Sequence, residues 1–247
     1  MDNVDIFIGT YKDFKSQVSN ESYKVIYGKR DIKITNGLKA YKCVSDRVLD
    51  DRFYSEIYML RILNGNFDLK DYVGFCHYRK YFDFMDNIPN LDEIFSKGYD
   101  AIVAAPINLK ISVKKHYSLF HNIEDLYIVG GIIADKFPSY SKMFSAFING
   151  KMIIPYNMFI MKKNDFKEYI EFVGSVLDEY VNIVGKDIES RINNNKDKYL
   201  KSFSPNNTVE YQYRIGGYLA ERLTNIFMLN KFNKLKTYKV KITEDKY

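Results

Sequence analysis

The sequence contains no tryptophan and only two cysteines among its 247 residues. Cys43 and Cys76 cannot build the set of disulfides that holds small secreted proteins together, so a reducing compartment is expected. Apolar runs such as residues 99–106 and 152–161 are much shorter than the roughly 18 residues that span a bilayer. The first residues lack the basic and apolar segments of a secretory signal. We therefore expect a cytoplasmic protein that is soluble or peripheral to a membrane.

The other aromatic residues are abundant, with 22 tyrosines and 18 phenylalanines. A tyrosine ring offers an apolar face and a polar tip, which suits stacking on sugars or bases. An AT-rich coding sequence would raise tyrosine together with lysine, asparagine and isoleucine, so the composition leaves both explanations open. The apolar fraction of 46% is that of an ordinary globular chain, which is long enough for a sizeable core.

Apolar runs of strand length alternate along the chain with segments of helical periodicity. Strands are predicted at residues 4–10, 72–76 and 99–105, and helices at residues 52–63, 91–97, 166–184 and 209–230. This alternation predicts an α/β fold. We expect one domain over residues 1–247, with a mixed, mostly parallel central sheet flanked by helices and a helical carboxyl-terminal part.

The most informative stretch is a predicted buried strand that ends abruptly in His77, Tyr78, Arg79 and Lys80. Open α/β sheets bind ligands at the carboxyl ends of their strands. This cluster could present up to three positive charges to an anion such as a diphosphate. A plain basic turn is the alternative, because charged residues are common on protein surfaces.

The loop after the first predicted strand is a second candidate for ligand contact. Thr10, Tyr11 and Lys12 occupy the position at which nucleotide-binding α/β folds touch their ligand. The first strand of many α/β proteins ends in this way, so position is the only argument for them.

Acidic residues gather at the start of the helix predicted at residues 52–63. Asp50 and Asp51 precede it, and N-capping explains at least one of them without a binding role. Capping does not explain Glu56, which lies inside the helix, although a solvated helix face is the commonest place for such a residue.

His116 and His121 lie in one segment with acids nearby. On one helix they would point roughly 140° apart, whereas histidine pairs that bind zinc from one helix are usually four residues apart. We therefore predict no metal site. A carboxylate that activates a hydroxyl suits Asp125, with His121 nearby, and a helix cap is the alternative role of Asp125.

Polar residues also interrupt apolar segments farther along. Tyr156 and Asn157 lie within an apolar run, and a buried amide left unpaired costs about 1–3 kcal/mol, so Asn157 needs a partner in the protein or a ligand. In the last predicted helix, Arg214 and Glu221 lie nearly on one face, while an ion pair of Arg214 with Glu210 is the alternative. Glycines at 216 and 217 in that helix indicate close packing or ligand approach.

Two polar segments complete the description. Residues 186–207 are predicted to form a loop or lid near a site. The net charge of +6 is concentrated in residues 231–241, which contain five lysines and no acid. Such a segment favours an anionic membrane surface or nucleic acid. Tyr238, Val240 and Ile242 alternate with lysines, which favours an edge strand protected by lysines instead.

Four of these segments, in this order, resemble the motifs of one family. They are residues 54–57 (Tyr-Ser-Glu-Ile), 73–82 (Val-Gly-Phe-Cys-His-Tyr-Arg-Lys-Tyr-Phe), 156–161 (Tyr-Asn-Met-Phe-Ile-Met) and 211–223 (Tyr-Gln-Tyr-Arg-Ile-Gly-Gly-Tyr-Leu-Ala-Glu-Arg-Leu). The family is that of bacterial capsular and exopolysaccharide glycosyltransferases with a His-Tyr-Arg-Arg-Tyr-Phe motif, first described as a domain of unknown function. Residues 114–126 also resemble the family, so the likeness covers nearly the whole chain. Lys80 stands where the family more usually has a second arginine.

The resemblance implies a GT-A-like hexosyltransferase of the inverting type. The implied donor is a UDP-sugar, with UDP-galactofuranose and UDP-galactose as candidates. The implied acceptor is a glycan or lipid-linked glycan of capsular polysaccharide, exopolysaccharide or lipopolysaccharide synthesis. Residues 1–110 would bind the nucleotide sugar, and residues 111–247 would form the acceptor side and the helical part.

The resemblance assigns site roles to the candidates named above. Its donor-binding residues are Thr10, Tyr11, Lys12, Asp50, Asp51, Glu56, His77, Tyr78, Arg79 and Lys80. Its catalytic residues are Asp125 as base, His121 and Glu210, and its acceptor or structural residues are Tyr156, Asn157, Gln212, Arg214 and Glu221. No Asp-x-Asp follows the strand at residues 73–76, so we expect side-chain cations to reduce or replace the need for a divalent metal.

Other function classes stay open from the sequence. A nucleic-acid binder would use the lysine-rich segment and the tyrosines, although we expect no nucleic acid as partner. A carbohydrate-binding module without catalysis would use the same tyrosines but has little need for the cations of residues 77–80. Peripheral contact of the lysine-rich segment with the inner face of the plasma membrane is a further expectation.

Overall fold

A computed structural model of the chain describes residues 3–35, 37–44, 51–185, 188–194 and 209–243. The strands in these ranges are β1 (Val4–Thr10), β2 (Phe14–Lys15), β3 (Tyr23–Tyr27), β4 (Ile34–Thr35), β5 (Ala40–Lys42), β6 (Tyr72–His77), β7 (Lys80–Phe82), β8 (Ala101–Ala104), β9 (Ile107–Asn108), β10 (Met152–Ile153), β11 (Phe159–Lys162), β12 (Leu235–Tyr238) and β13 (Val240–Ile242). The helices are α1 (Asp51–Tyr54), α2 (Glu56–Asn66), α3 (Leu91–Ser96), α4 (Val113–Phe120), α5 (Ile123–Lys136), α6 (Ser141–Asn149), α7 (Lys163–Val184), α8 (Ile188–Asn194), α9 (Val209–Gln212) and α10 (Ile215–Lys231), with a 3₁₀ turn at Pro138–Tyr140.

The described strands build one large mixed sheet and two small two-stranded ones. The main path of the large sheet runs β12-β8-β11-β6-β1-β3-β5, and β7 and β13 attach at the end of β6. The pairings of β12 with β8, β6 with β1, β1 with β3 and β3 with β5 are parallel. Strand β11 runs antiparallel to both of its neighbours. The predicted fold class, a mixed and mostly parallel sheet flanked by helices, is confirmed.

The centre of the sheet is buried on both faces. Strand β1 is buried along its whole length, as is expected for a parallel strand covered by helices. The register pairs Gly9 with His77, so the carboxyl ends of β1 and β6 reach the same edge of the sheet. Gly74 allows β6 to approach its neighbours, because a Cβ there would lie 2.9 Å from a side-chain carbon of Ile160.

Helix α7 is the main support of one face, and its prediction from apolar spacing is confirmed. It buries a stripe of apolar side chains and packs against α2, α5 and α10. The buried stripe is Phe166, Tyr169, Ile170, Phe172, Val173, Val176, Leu177, Tyr180 and Val184. The site therefore rests on a scaffold whose position the hydrophobic effect determines.

Two helices predicted as continuous are interrupted, and the prediction is wrong at these points. The helix predicted at residues 52–63 breaks at Ser55, whose φ of 51° lies in the left-handed region. The helix predicted at residues 209–230 breaks before α10, where Arg214 has φ −84° and ψ 28°. Local periodicity predicted the helices. Their limits follow from a tertiary contact, because Arg214 at one break donates a hydrogen bond to the hydroxyl of Ser55 at the other.

Three other segments differ from their predictions. The apolar run at 152–161 is two short strands, β10 and β11, because Tyr156 and Asn157 form a turn with φ values of 73° and 53°. Residues 188–194 of the predicted polar loop are helical, and the other residues of that loop, 186–187 and 195–207, lie outside the described ranges. His116 and His121 do not share one helix, since α4 ends and His121 caps it in an extended conformation.

The remaining outcomes concern the segments that the sequence singled out. Cys43 and Cys76 are both buried free thiols. The lysine-rich segment forms β12 and β13. Strand β13 contains the alternating residues 240–242 and pairs only with β7 among the described strands, which confirms the edge-strand interpretation. None of the helices in the described ranges combines the length and apolarity that crossing a membrane requires.

The close approach of α10 to the break at Ser55 should make the stability of the fold sensitive to a side chain at Gly216. A Cβ on Gly216 would lie 2.5 Å from the carbonyl oxygen of Phe53, so Gly216→Ala forces backbone to move. We expect it to lower the free energy of unfolding by about 1–3 kcal/mol. Gly131→Ala, in α5 with no atom near its Cβ position, is the matched control and should raise stability by about 0.4–1 kcal/mol. Urea unfolding of both variants measures the difference, and equal shifts would contradict this packing account.

Candidate active site

A cleft of about 630 Å³ opens at the carboxyl ends of β1 and β6. It is bounded by the loop after β1, helix α2, the β6–β7 turn, helix α4, the turn before β11 and helix α10. Its lining residues are Gly9, Tyr11, Lys12, Glu56, Met59, His77, Tyr78, Arg79, Lys80, His116, Phe120, His121, Tyr156, Asn157, Tyr211, Arg214, Gly217, Tyr218, Glu221 and Arg222. Six segments that are distant in sequence therefore meet at the edge where α/β sheets hold ligands.

Cationic side chains outnumber carboxylates in the lining. Five lysines and arginines face two glutamates, Glu56 and Glu221, before any histidine is counted; the five cations are Lys12, Arg79, Lys80, Arg214 and Arg222. An excess of positive charge in a cleft attracts anions, and low-dielectric walls strengthen this attraction.

Glu56 is the most deeply buried carboxylate of the site, with 6% of its surface exposed. Its Oε1 accepts a hydrogen bond of 2.7 Å from the Nδ2 of Asn157, and its Oε2 lies 4.0 Å from an Nη of Arg214. Arg214 also donates to the Oγ of Ser55, at 2.7 Å. Burial opposes ionisation of Glu56, but the nearby charges of His77 and Arg214 outweigh it, so the pKa of Glu56 lies below its ordinary value.

The turn before β11 depends on His77. The Nε2–H of His77 donates to the carbonyl oxygen of Tyr156 at 2.5 Å, which assigns the proton of the neutral ring to Nε2. Burial is the main reason that the pKa of His77 is lowered, and Glu56 opposes this shift. His77 therefore acts in this site as a hydrogen-bond donor that fixes the turn before β11.

Glu221 is the more accessible carboxylate, with 25% of its side chain exposed. Its Oε1 accepts a hydrogen bond of 2.9 Å from the backbone N–H of Tyr156. Its Oε2 accepts one of 2.7 Å from the buried Arg222. A carboxylate can accept about four hydrogen bonds, so these two contacts orient Glu221 and leave it capacity for a ligand.

The β6–β7 turn presents its cations against aromatic rings. The Nζ of Lys80 lies 4.1 Å from the centre of the Tyr156 ring. Lys12 and Arg79 both lie over the ring of Tyr78, at 5.4 and 5.1 Å. Burial lowers the pKa of Lys80, while Glu221 acts in the opposite direction. The rings hold these cations near the cleft without neutralising them.

Aromatic rings and a histidine, from the end of α4 and from α9 and α10, form another part of the lining. His121 stacks on Tyr218 with ring centres 4.0 Å apart. The Nδ1 of His121 lies 3.2 Å from the Oε1 of Gln212, and the amide of Gln212 donates to the carbonyl of Phe120. Gln212 thereby orients His121, and the wall combines flat apolar faces with polar edges, which suits a sugar.

The structure brings together most of the residues that the sequence analysis proposed for the site. Those that line the cleft are Tyr11, Lys12, Glu56, His77, Tyr78, Arg79, Lys80, His121, Tyr156, Asn157, Arg214 and Glu221. The prediction that the Asn157 amide needs a partner is confirmed for its Nδ2, which donates to Glu56, while its buried Oδ1 has no hydrogen-bond partner among the described residues.

Three proposed residues do not line the cleft. The hydroxyl of Thr10 bonds to the backbone of Lys12, and Gln212 acts behind His121. Asp125 is buried, and its Oδ1 accepts hydrogen bonds from the hydroxyl of Tyr180 at 2.7 Å and from Arg191 at 3.0 Å. Burial raises the pKa of Asp125, and these two donors oppose the shift. This position does not favour Asp125 as a base acting on a ligand in the cleft.

Three further candidates cannot be placed among these contacts. Asp50 lies outside the described residues, as do the side chains of Asp51 and Glu210. Their proposed roles stay predictions.

Sequence reasoning missed several lining residues, of which Tyr211, Tyr218 and Arg222 are the most informative. Tyr211, Arg214, Tyr218 and Glu221 follow one another at intervals of three and four, which would place them on one face of the continuous helix predicted at residues 209–230. That spacing was a usable signal. No such spacing pointed to Arg222. Its side chain is buried and lies over the ring of Tyr117, at 5.1 Å from the ring centre.

The described residues contain no group of three or more histidine, cysteine, aspartate or glutamate side chains arranged to hold a metal ion. The side chains of the cleft are instead suited to an anion. Lys12, Arg79, Lys80 and Arg214 could contact phosphate oxygens of a bound ligand.

Comparisons with known proteins agree with this architecture. A family model described as a domain of unknown function, DUF4422, matches residues 5–233. No curated protein matches the chain. Among solved structures, the chain is similar to the apo structure of WbbM, a bifunctional glycosyltransferase, with a TM-score of 0.70 and 21% identity. The similarity covers 98% of this chain and 46% of WbbM, so the chain spans about half the length of that protein. At this identity the likeness shows a shared fold.

The buried charge of Glu56 makes a prediction about pH. Its pKa is lower in the folded protein than the value of about 4.3 in an unfolded chain, so the unfolded state takes up the proton first. The stability that ionised Glu56 contributes is therefore present above about pH 4.3 and is lost as the pH falls through the folded pKa. We expect Glu56→Gln to lower the free energy of unfolding at pH 7 and to lower it less at pH 3.5.

Urea unfolding between pH 3.5 and 7 checks this expectation. Glu171→Gln, at an exposed position of α7 outside the cleft, is the matched control for the loss of one glutamate and should change the free energy of unfolding at pH 7 by less than about 0.5 kcal/mol. A difference between Glu56→Gln and the wild type that does not change with pH would contradict the assignment of a charged, paired Glu56.

Proposed function

The chain belongs to the DUF4422 family, and we propose that it is a glycosyltransferase that moves a sugar from a nucleotide-sugar donor to a glycan acceptor. The observation that carries the proposal is the excess of cations in the cleft at the carboxyl ends of β1 and β6. A nucleotide sugar has a diphosphate at its centre, and its departure from the sugar builds negative charge that cations stabilise.

Four of the lining cations come from segments that meet at the carboxyl ends of β1 and β6. Arg79 and Lys80 come from the turn after β6, Lys12 from the loop after β1 and Arg214 from the start of α10. Contacts with Tyr78, Tyr156 and Ser55 already orient these side chains before a ligand binds. We propose that they do the work for which many related enzymes use a divalent metal.

The acceptor side is proposed to lie at the aromatic wall of Phe120, Tyr211 and Tyr218. Tyrosine and phenylalanine faces stack on the apolar faces of sugar rings. On this proposal residues 1–110 mainly bind the nucleotide sugar, in a GT-A-like arrangement, and residues 111–247 form the acceptor side. The site itself crosses this division, since Arg214 reaches the donor side.

We propose Glu221 as the general base. In an inverting transfer, a carboxylate takes the proton of the acceptor hydroxyl while its oxygen bonds to the anomeric carbon and the bond to the diphosphate breaks. Glu221 is partly exposed in the cleft and is held by Tyr156 and Arg222. Asp125 is buried outside the lining and already accepts from Tyr180 and Arg191, so it is the weaker candidate.

The finer identity of the substrates rests on the resemblance of the sequence motifs. We propose a UDP-sugar as donor, with UDP-galactofuranose and UDP-galactose to be tested first, and a hexosyl transfer. The proposed acceptor is a glycan or lipid-linked glycan of bacterial capsular polysaccharide, exopolysaccharide or lipopolysaccharide synthesis, met at the cytoplasmic face of the membrane.

The proposed role of the cations can be tested by donor binding. Calorimetry with UDP, GDP, CMP and their sugars should detect binding of a UDP-sugar without added metal. Lys80→Gln should weaken this binding about ten- to hundredfold, the loss of one hydrogen bond between charged groups. Arg30→Gln, at an exposed position outside the cleft, should leave the affinity unchanged.

Three outcomes would contradict parts of the proposal. Binding and transfer that vanish in a chelator and return with manganese would contradict metal-independent action. Steeply salt-dependent binding to oligonucleotides without affinity for nucleotide sugars would indicate a nucleic-acid binder. Affinity for glycans without affinity for UDP would indicate a carbohydrate-binding module.

A second prediction concerns the base. Glu221→Gln should lower kcat by about 10²- to 10⁴-fold while the donor Kd changes little, because the amide cannot accept the proton. Glu171→Gln is the matched control and should retain full activity. A folded Asp125→Asn protein that binds donor and does not transfer, beside an active Glu221→Gln protein, would assign the base to Asp125 instead.

A further inference from the structure

Strand β7, which begins at Lys80, has a weak connection to the central sheet. The register pairs it with β6 through one residue pair, His77 with Lys80. Its other edge pairs with β13 through three residue pairs, Val240 with Phe82, Lys241 with Tyr81 and Ile242 with Lys80. Among the described strands, β13 therefore supplies most of the backbone pairing of β7.

The pairing continues past both ends of β13. The backbone N–H of Thr243 donates to the carbonyl of Arg79 at 2.9 Å, and the N–H of Asp83 donates to the carbonyl of Lys239 at 2.9 Å. Arg79 and Lys80, the two cations of the β6–β7 turn, are thus held from outside by the segment that follows α10.

That segment is itself anchored before it reaches β7. The carboxylate of Asp100 accepts hydrogen bonds from the backbone N–H groups of Asn233 and Lys234, both at 3.0 Å. Strand β12 then pairs in parallel with β8. The chain therefore crosses from the edge of the sheet to the cleft, through residues that follow the last residue matched by the family model, 233.

We infer that β13 is a brace that fixes Arg79 and Lys80 in the position that binds the donor diphosphate. The inference rests on the proposed function for the identity of the ligand. It assigns the lysine-rich segment a role that depends on backbone hydrogen bonds and not on the charges of its lysines.

Without β13, the outer edge of β7 would have no backbone partner among the described strands. A strand edge without a partner exposes its N–H and C=O groups and loses the constraint on its twist. The turn would keep its bond from the N–H of Tyr78 to the carbonyl of Gly9 and the bond from the hydroxyl of Tyr81 to the carbonyl of Tyr78. Both hold the residues beside Arg79 and Lys80, and neither holds the outer edge of β7.

The alternation of an antiparallel ladder provides a matched pair of variants. Every second residue pair of such a ladder exchanges hydrogen bonds. Since Thr243 bonds to Arg79 and Asp83 bonds to Lys239, the hydrogen-bonded pair between them is Lys241 with Tyr81. The N–H of Lys241 therefore points towards Tyr81, and the N–H of Ile242 points away from β7. Proline lacks the N–H, so Lys241→Pro removes a ladder bond and Ile242→Pro does not. Lys241→Gln removes the charge and keeps the bond.

The experiment compares the full-length variants by hydrogen exchange of the amides of residues 79–83 and by donor affinity. We expect Lys241→Pro to speed exchange in this segment and to raise the Kd of the UDP-sugar about tenfold or more, with kcat at saturating donor changed less than about threefold. Ile242→Pro and Lys241→Gln should behave like the wild type. If Lys241→Pro does not fold, Thr243→Pro, which removes only the bond to Arg79, takes its place.

The outcomes separate this inference from the proposed function. Unchanged exchange and affinity in Lys241→Pro, or in its substitute, would overturn the brace. A loss of affinity in Lys241→Gln equal to that in Lys241→Pro would also overturn it, because the charge would then be the cause. If the wild type binds no nucleotide sugar, the proposed function fails, and the exchange measurement alone still decides whether β13 holds the turn.

Discussion

The geometry of the cleft depends on one buried carboxylate, that of Glu56. A charge removed from water must be paired and hydrogen-bonded, or the folded state is strongly destabilised. Asn157 and Arg214 meet this requirement directly, and His77 contributes through its nearby position. These partners come from the turn before β11, the start of α10 and the end of β6. A single charge thus ties together the elements that surround the cleft.

The irregular backbone of the site follows from the same requirement. The left-handed conformation at Ser55 separates α1 from α2, and the left-handed turn at Tyr156 and Asn157 directs the amide of Asn157 towards Glu56. A Cβ on Gly217 would lie 2.8 Å from that of Ser55, so α10 can approach the break only with glycine there. Such backbone conformations cost free energy and persist because the surrounding packing holds them.

The charges of the cleft fall into two groups with different surroundings. Lys12, Arg79 and Lys80 lie on aromatic rings of the cleft lining. Arg214 and Arg222 are tied to the carboxylates Glu56 and Glu221. The first group and Arg214 are suited to contact with a diphosphate. The pairings of Arg214 with Glu56 and of Arg222 with Glu221 also maintain the shape of the cleft and the orientation of Glu221.

The sequence by itself determined the scaffold and one side of the site. The apolar patterns of β1, β6 and α7 predicted those elements, because the spacing of apolar residues along the chain decides which type of element can bury them together. The cluster at residues 77–80 could be predicted since it directly follows a buried strand. Only the tertiary structure decided that Glu221 lies in the cleft while Asp125 is buried beside Tyr180, and that β13 holds the β6–β7 turn. These features depend on contacts between segments far apart in the chain, and local patterns of hydrophobicity and charge carry no information about which distant segments meet.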